Sequence, residues 1–343
     1  MRSLVFVVLT ILCGGLGQSG SAQTAEPAAR LLEFSDFKQV DFRRLLDGEI
    51  VSERGALMDL RTGISTQACY AVPLPPEETV RRLQDWNPLP HESLNVYRFE
   101  PVRVPPEAAD FKNLDLGLDK RAVWWLLGKT LTTTAGDSEL NLSRQEAQQI
   151  ASSLKKTSTP REVAACWTKL LMARAAAFQA KGFDGMPLYE VSGGKVSPSE
   201  QIRLMLKEKG RIAREFAPII RQAGLEGGAA TLKPHYYWNL FSSEGYGTIC
   251  LGVTYALPVG GHYQLLDVEY YVSGSYYTSA TFYEIWPIQV GNRKGSLVWR
   301  GDLFSAAGLA YTKGVERIAY GAIMLLEIKK GIRAFQSDIE SAR

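Results

Sequence analysis

Histidine and cysteine are scarce in this chain of 343 residues, which has three of the first and four of the second and no CxxC or Cys/His cluster. His91, His235 and His262 stand far apart, so the ligand spacing of a metal site is missing and neither metal nor cofactor is expected. An excess of one charge is missing too. Lys plus Arg number 39 against 36 Asp plus Glu, a net charge of +3, which leaves no basic footprint for nucleic acid. No apolar run approaches the roughly 20 residues that a membrane helix needs. The signatures GxSxG, HExxH, GxxxxGKS/T and GxGxxG are all absent. Ser192-Gly-Gly-Lys195 and Gly260-Gly-His262 are turns, without the strand-then-helix setting that aims backbone N–H groups at a phosphate. What remains, at 45% hydrophobic and 22% charged residues, is the composition of an ordinary globular chain.

The N-terminus is the first informative segment. Arg2 precedes an apolar run from Leu4 to Leu12, and Gly20-Ser21-Ala22 puts small residues where a signal peptidase needs them. Residues 1–22 therefore read as an export signal to the periplasm or medium, and 23–44 as a linker. About nine apolar residues at 1.5 Å each cannot cross a core of about 30 Å. Cys13 follows Leu12, not the small residue that a lipid-attachment site wants. Export leaves Cys69, Cys166 and Cys250, an odd number beside apolar neighbours, which read as buried small hydrophobes in place of a disulfide scaffold.

Periodicity divides the rest into three parts. Glu49–Val51 and Ile64–Val72 read as strands, the second alternating Ile64, Thr66, Ala68, Tyr70 and Val72 on one face. Pro75-Pro76-Glu77-Glu78 opens a helix that Asn87-Pro88 stops, and a strand is expected over Leu94–Phe99. The middle is helical: Ser143 with Glu146, Thr159-Pro160 with Glu162 and Ser197-Pro198 with Glu200 are N-terminal capping signals, and Val191–Gly194 reads as a small hairpin. The last third has period two. Runs over 236–242, 248–257, 263–273, 276–286 and 296–300 are separated by turns too short for anything but antiparallel neighbours. Ala306–Phe335 then reads as one long helix with Ile318, Ala322, Leu325, Ile328, Ile332 and Phe335 on a stripe. The fold class is α+β: an antiparallel meander with a long C-terminal helix and an inserted helical region over about 120–230.

This order, with Cys69-Tyr-Ala-Val-Pro-Leu-Pro-Pro-Glu-Glu-Thr-Val80 running to Asp85-Trp86, and Trp299-Arg300-Gly-Asp302-Leu303 leading to Gly308, resembles the START-like (SRPBCC, helix-grip) superfamily. More narrowly it is similar to exported bacterial proteins in which a helical insertion splits the grip. Where those carry a Tyr-x-Ser-His-Tyr-like strand, Tyr271-Val-Ser-Gly-Ser-Tyr276 lacks the histidine, so no role of that histidine carries over. The resemblance covers most of residues 45–336, read as one domain with a tail over 337–343. It implies a cavity between sheet and helix for a lipid or other hydrophobic small molecule, with transient membrane contact compatible with that role.

The candidate wall residues are Tyr255, Tyr270, Phe282 and Trp286 from the aromatic-dense meander, with Leu325 and Ile328 from the helix. Tyrosine and tryptophan suit an amphiphile because each joins an apolar body to a polar tip, although aromatics are also simply good strand formers. Glu284, between Phe282 and Trp286 by alternation, is the candidate acid or base of an enzyme acting in the same cavity. Asp267 and Glu269 oppose Leu266, Val268 and Tyr270 and are expected to face solvent. Arg300 either pairs with Asp302 or holds a ligand head group. A third reading is an envelope interaction module with a solid core. The residues leave the oligomeric state open.

Overall fold

A computed structural model describes residues 19–134, 138–191 and 194–342 of the chain. Residues 1–18, which carry most of the expected export signal, and 192–193 in the turn of the expected hairpin lie outside the described residues. Among the described residues no helix is long and apolar enough to cross a membrane.

The strands are β1 (Val51–Arg54), β2 (Gly63–Val72), β3 (Val96–Pro101), the small hairpin β4 (Tyr189–Val191) and β5 (Gly194–Val196), and the meander β6 (His235–Ser243), β7 (Tyr246–Val259), β8 (His262–Val272), β9 (Thr278–Val290) and β10 (Arg293–Ser305). Apart from the hairpin they form one eight-stranded antiparallel sheet, in the order β1-β2-β10-β9-β8-β7-β6-β3. The meander follows from its turns: Gly260 and Gly261 take φ of +52° and +98°, which a two-residue hairpin needs and which glycine adopts without a Cβ penalty.

The helices are α1 (Ser19–Phe34), α2 (Phe42–Leu46), α3 (Pro76–Gln84), α4 (Arg121–Thr132), α5 (Arg144–Ser153), α6 (Pro160–Lys181), α7 (Pro198–Glu208), α8 (Gly210–Glu215), α9 (Ala217–Gln222) and α10 (Gly314–Ser341). Three of them start at the expected capping residues Ser143, Thr159 and Ser197. Ser143 and Glu146 form a reciprocal capping box on α5, as do Thr159 and Glu162 on α6. The sheet separates two layers. On its insertion face, Trp238, Leu251, Tyr255, Phe282 and Trp299 share a buried cluster with residues of α1, α4, α6, α7, α8 and α9. On its grip face, Tyr70, Tyr283 and Val298 pack with Val80 of α3 and with Ile328, Ile332, Phe335 and Ile339 of α10. Both faces being covered, all ten residues of β2 are buried.

Three sequence expectations need correction. Residues 23–44 are not a linker: α1 and α2 bury Leu31, Phe34, Phe42 and Leu45, and the Phe34 ring stands edge-on to Trp299 at 4.8 Å. The long helix begins at Gly314, after a single 3-10 turn over Gly308–Tyr311, and runs through the expected tail to Ser341, burying Ile339. Its inward stripe is also rotated. Ile318 is 46% exposed, whereas Gly321 lies inside, so close to β1 that a Cβ there would stand 2.7 Å from Arg54 Cδ.

Candidate functional site

The expected wall residues do not share a wall. Tyr255, Tyr270, Phe282 and Trp286 all lie on the insertion face, and Ile328 belongs to the grip-face cluster, so the sheet runs between them. The aromatics are packed by the inserted helices and by α1. Phe178 of α6 stacks on Tyr270 at 3.8 Å and 11°, Phe216 lies 5.0 Å from Phe282, and Phe34 of α1 lies 6.3 Å from Trp286. Here the packing role of aromatics prevails over the pocket role. Leu325 is half-buried and Ile328 buried on α10.

Glu284 is also on the insertion face, with its side chain fully buried. His262 Nε2 lies 2.7 Å from Glu284 Oε1, at ion-pair distance but not aligned as a hydrogen bond, and Gln264 Nε2 donates to Oε2 at 3.1 Å. Burial pushes its carboxyl up to about 7, against the pull of His262.

The grip face carries what the sequence reading sent to solvent. Register places Arg54 of β1 beside Thr66, Thr66 beside Asp302, Asp302 beside Thr281, Thr281 beside Asp267, and Asp267 beside Thr254, a polar row across the sheet. One step along, Glu269 is beside Ser279 and Gly252, and Gly252 beside Tyr237. Asp267 and Glu269 are partly exposed. Tyr237 donates its hydroxyl to Asp267 Oδ1 at 2.8 Å, while Glu269 Oε2 accepts from Tyr276 at 2.6 Å and Ser279 at 2.5 Å. Both phenols stay protonated, because burial and the adjacent carboxylates push them well above the ordinary tyrosine range. Burial, then the neighbouring Glu269, pushes Asp267 up to about 7.

Arg300 fulfils the first of its two expected roles. Nη2 donates to Asp302 Oδ1 at 2.7 Å, Nε lies 3.0 and 3.1 Å from the two oxygens, and the guanidinium sits 5.5 Å from the Tyr283 ring centre. The three cysteines are free, Cys69 and Cys250 belonging to clusters on opposite faces.

Apolar clusters bracket the polar row. At one end Tyr276 and Phe304 lie 4.5 Å apart beside Cys250, Phe241 and Tyr320; at the other are Tyr283, Ile285 and Ile328, and Met324 of α10 packs against both groups. The Trp86 indole and His91 both reach Asp338 Oδ2, at 2.8 and 2.9 Å, tying the chain after α3 to the end of α10. The result, a polar strip with acidic oxygens at its centre and apolar ends, is the candidate trough. A cleft of about 1220 Å³ opens elsewhere, between residues 36–44, β1 and the β9–β10 turn. Within its lining, Arg44 pairs with Glu49 and Asp36 with Arg211.

Comparison with protein-family models, with curated proteins and with solved structures finds no match in any of the three. The molecule is thus defined by its own architecture, a long antiparallel sheet packed against a long C-terminal helix in a helix-grip-like arrangement.

Proposed function

We propose that this is an exported START-like protein that binds an amphiphilic small molecule, non-covalently, in the trough between α10 and the meander. The ligand stays within the lipid-like class that the superfamily resemblance implies, but its site moves off the expected aromatic wall, because those aromatics are packed by Phe34, Phe178 and Phe216. The observation that carries the reading is the polar row at the centre of a sheet face, in which Asp267 and the neighbouring Glu269 are partly exposed, bracketed by apolar clusters that Met324 bridges. An apolar body laid against those clusters gains about 25 cal/mol per Å² removed from water, and the polar row fixes its head.

Native mass spectrometry of protein purified from its own source, followed by organic extraction, tests this. A retained small-molecule mass whose occupancy drops on Met324→Arg supports it. Protein that is repeatedly empty and shows no thermal shift from a panel of amphiphiles overturns it. An enzymatic reading has one observation of its own, the buried Glu284 against His262; turnover that Glu284→Gln abolishes while ligand is still retained would favour catalysis.

A further inference from the structure

The trough is short of donors. Two cations on the grip face are committed elsewhere, Arg300 to Asp302 and Arg317 to the backbone carbonyls of Arg61, Leu309, Leu60 and Gly63, and Arg54 stands at the other end of the row from Asp267. His235, at the start of β6, is exposed. Among the described residues no basic side chain forms an ion pair with Asp267 or Glu269. Each carboxylate takes its hydrogen bonds on one oxygen, from Tyr237 in the first case and from Tyr276 and Ser279 in the second, with the Cys250 thiol also against Glu269.

A second, independent observation points the same way. Thr254, register partner of Asp267, is 8% exposed and its Oγ1 has no partner. Thr66 in the same row is fully buried with Oγ1 likewise unpartnered, and so is Asn239 Oδ1, one strand step from Tyr237. Every unpartnered buried polar atom on this face is thus an oxygen. Asn239 Oδ1 and the two threonine hydroxyls can each accept a hydrogen bond, and beside carboxylates that no basic side chain pairs they form a surface to which a multiply donating cation would bond.

We propose that the head group selected by the trough is an organic cation bearing two or more N–H donors, a primary ammonium or guanidinium, seated between Asp267 and Glu269 with its apolar body toward Tyr283 and Met324. This rests on the binding role proposed above and names the class of its ligand. An alcohol of the same chain length fills the apolar ends but leaves the carboxylates unpaired. A carboxylic acid meets them as a like charge.

Calorimetric titration of the intact protein with n-octylamine, n-octanol and octanoate at about pH 8 tests the assignment. The amine binds at least about tenfold tighter than the alcohol, since a charge-assisted bond exceeds a neutral one, and octanoate gives no heat. Asp267→Asn and Glu269→Gln each lower amine affinity about tenfold, more than they lower octanol affinity, and an unchanged circular dichroism spectrum shows that both variants are folded. If amine and alcohol bind alike in all three proteins, cation selectivity is overturned and the binding role stands. No heat from any probe, together with empty protein by native mass spectrometry, overturns both.

Discussion

Gly252 controls the acidic centre although it carries no side chain. The Tyr237 ring crosses β7 over this residue to reach Asp267, and a Cβ here would overlap the ring. Gly252→Ala therefore expels the tyrosine, at about 1–3 kcal/mol by the usual cost of overpacking, and removes a donor from the carboxylate. Urea unfolding measures the first effect. The second is read by carboxyl NMR as a further rise of the Asp267 midpoint, since the Tyr237 hydroxyl lowers it. Asp267 and Glu284 both sit near about 7, above the ordinary carboxylate range, so between about pH 4 and 7 the folded chain keeps protons that the unfolded chain has released. Stability accordingly falls as pH rises through that window and levels off above it. Asp267→Asn reduces the difference between unfolding midpoints at about pH 5 and pH 8 without abolishing it, because Glu284 retains its share. The alternation of Asp267 and Glu269 was legible in the sequence, but their setting was not. Solvent and an acidic trough impose the same period of two, and only the Ser279, Thr281 and Thr254 partners, set by register, separate them.

Among the elements, α10 shows where helical periodicity runs out. Ile332 and Phe335 lie inside as the stripe foretells, but the first half turns Val315, Ile318, Ile323 and Leu326 outward and holds the sheet through Gly321, Tyr320 and Met324. A hydrophobic count cannot select a glycine as the contact point; closeness to Arg54 does. Gly321→Leu lifts this half of the helix, costs about 1–3 kcal/mol and raises amide exchange over residues 314–327, while 328–341 keep their protection. An unchanged exchange pattern would refute the role given to the glycine. The helices α5 and α6 were readable because capping boxes are local chemistry. The start of α1 was not, because it has no acidic first turn and a proline, Pro27, inside. The bulge opposite Leu251 and Gly252 escaped as well; it turns Tyr270 and Tyr271 to the same cluster and sends Val272 to the other face.

At the scale of the whole molecule, the class and order of elements could be read from turns and periods, but not which layer covers which face. The inserted helices pack on the side where the aromatics point, whereas the expected cavity lies under the C-terminal helix on the other side of the sheet. Phe178→Ala removes the ring stacked on Tyr270 and costs about 3–5 kcal/mol in equilibrium unfolding, the loss of a buried aromatic. Binding in the trough across the sheet persists in that variant if the protein remains folded, which separates the two faces functionally.

The pairing of β2 with β10 has a temporal consequence. Gly63 lies opposite Ser305 and Val72 opposite Ser296, so β2 finds this neighbour only after all of the chain between residues 73 and 295 has emerged. Closing so long a loop comes late and slowly, and until then ten residues destined for the interior present a bare ribbon edge to whatever is nearby. A nascent chain interrupted before its final strand would hold that edge open to aggregation partners.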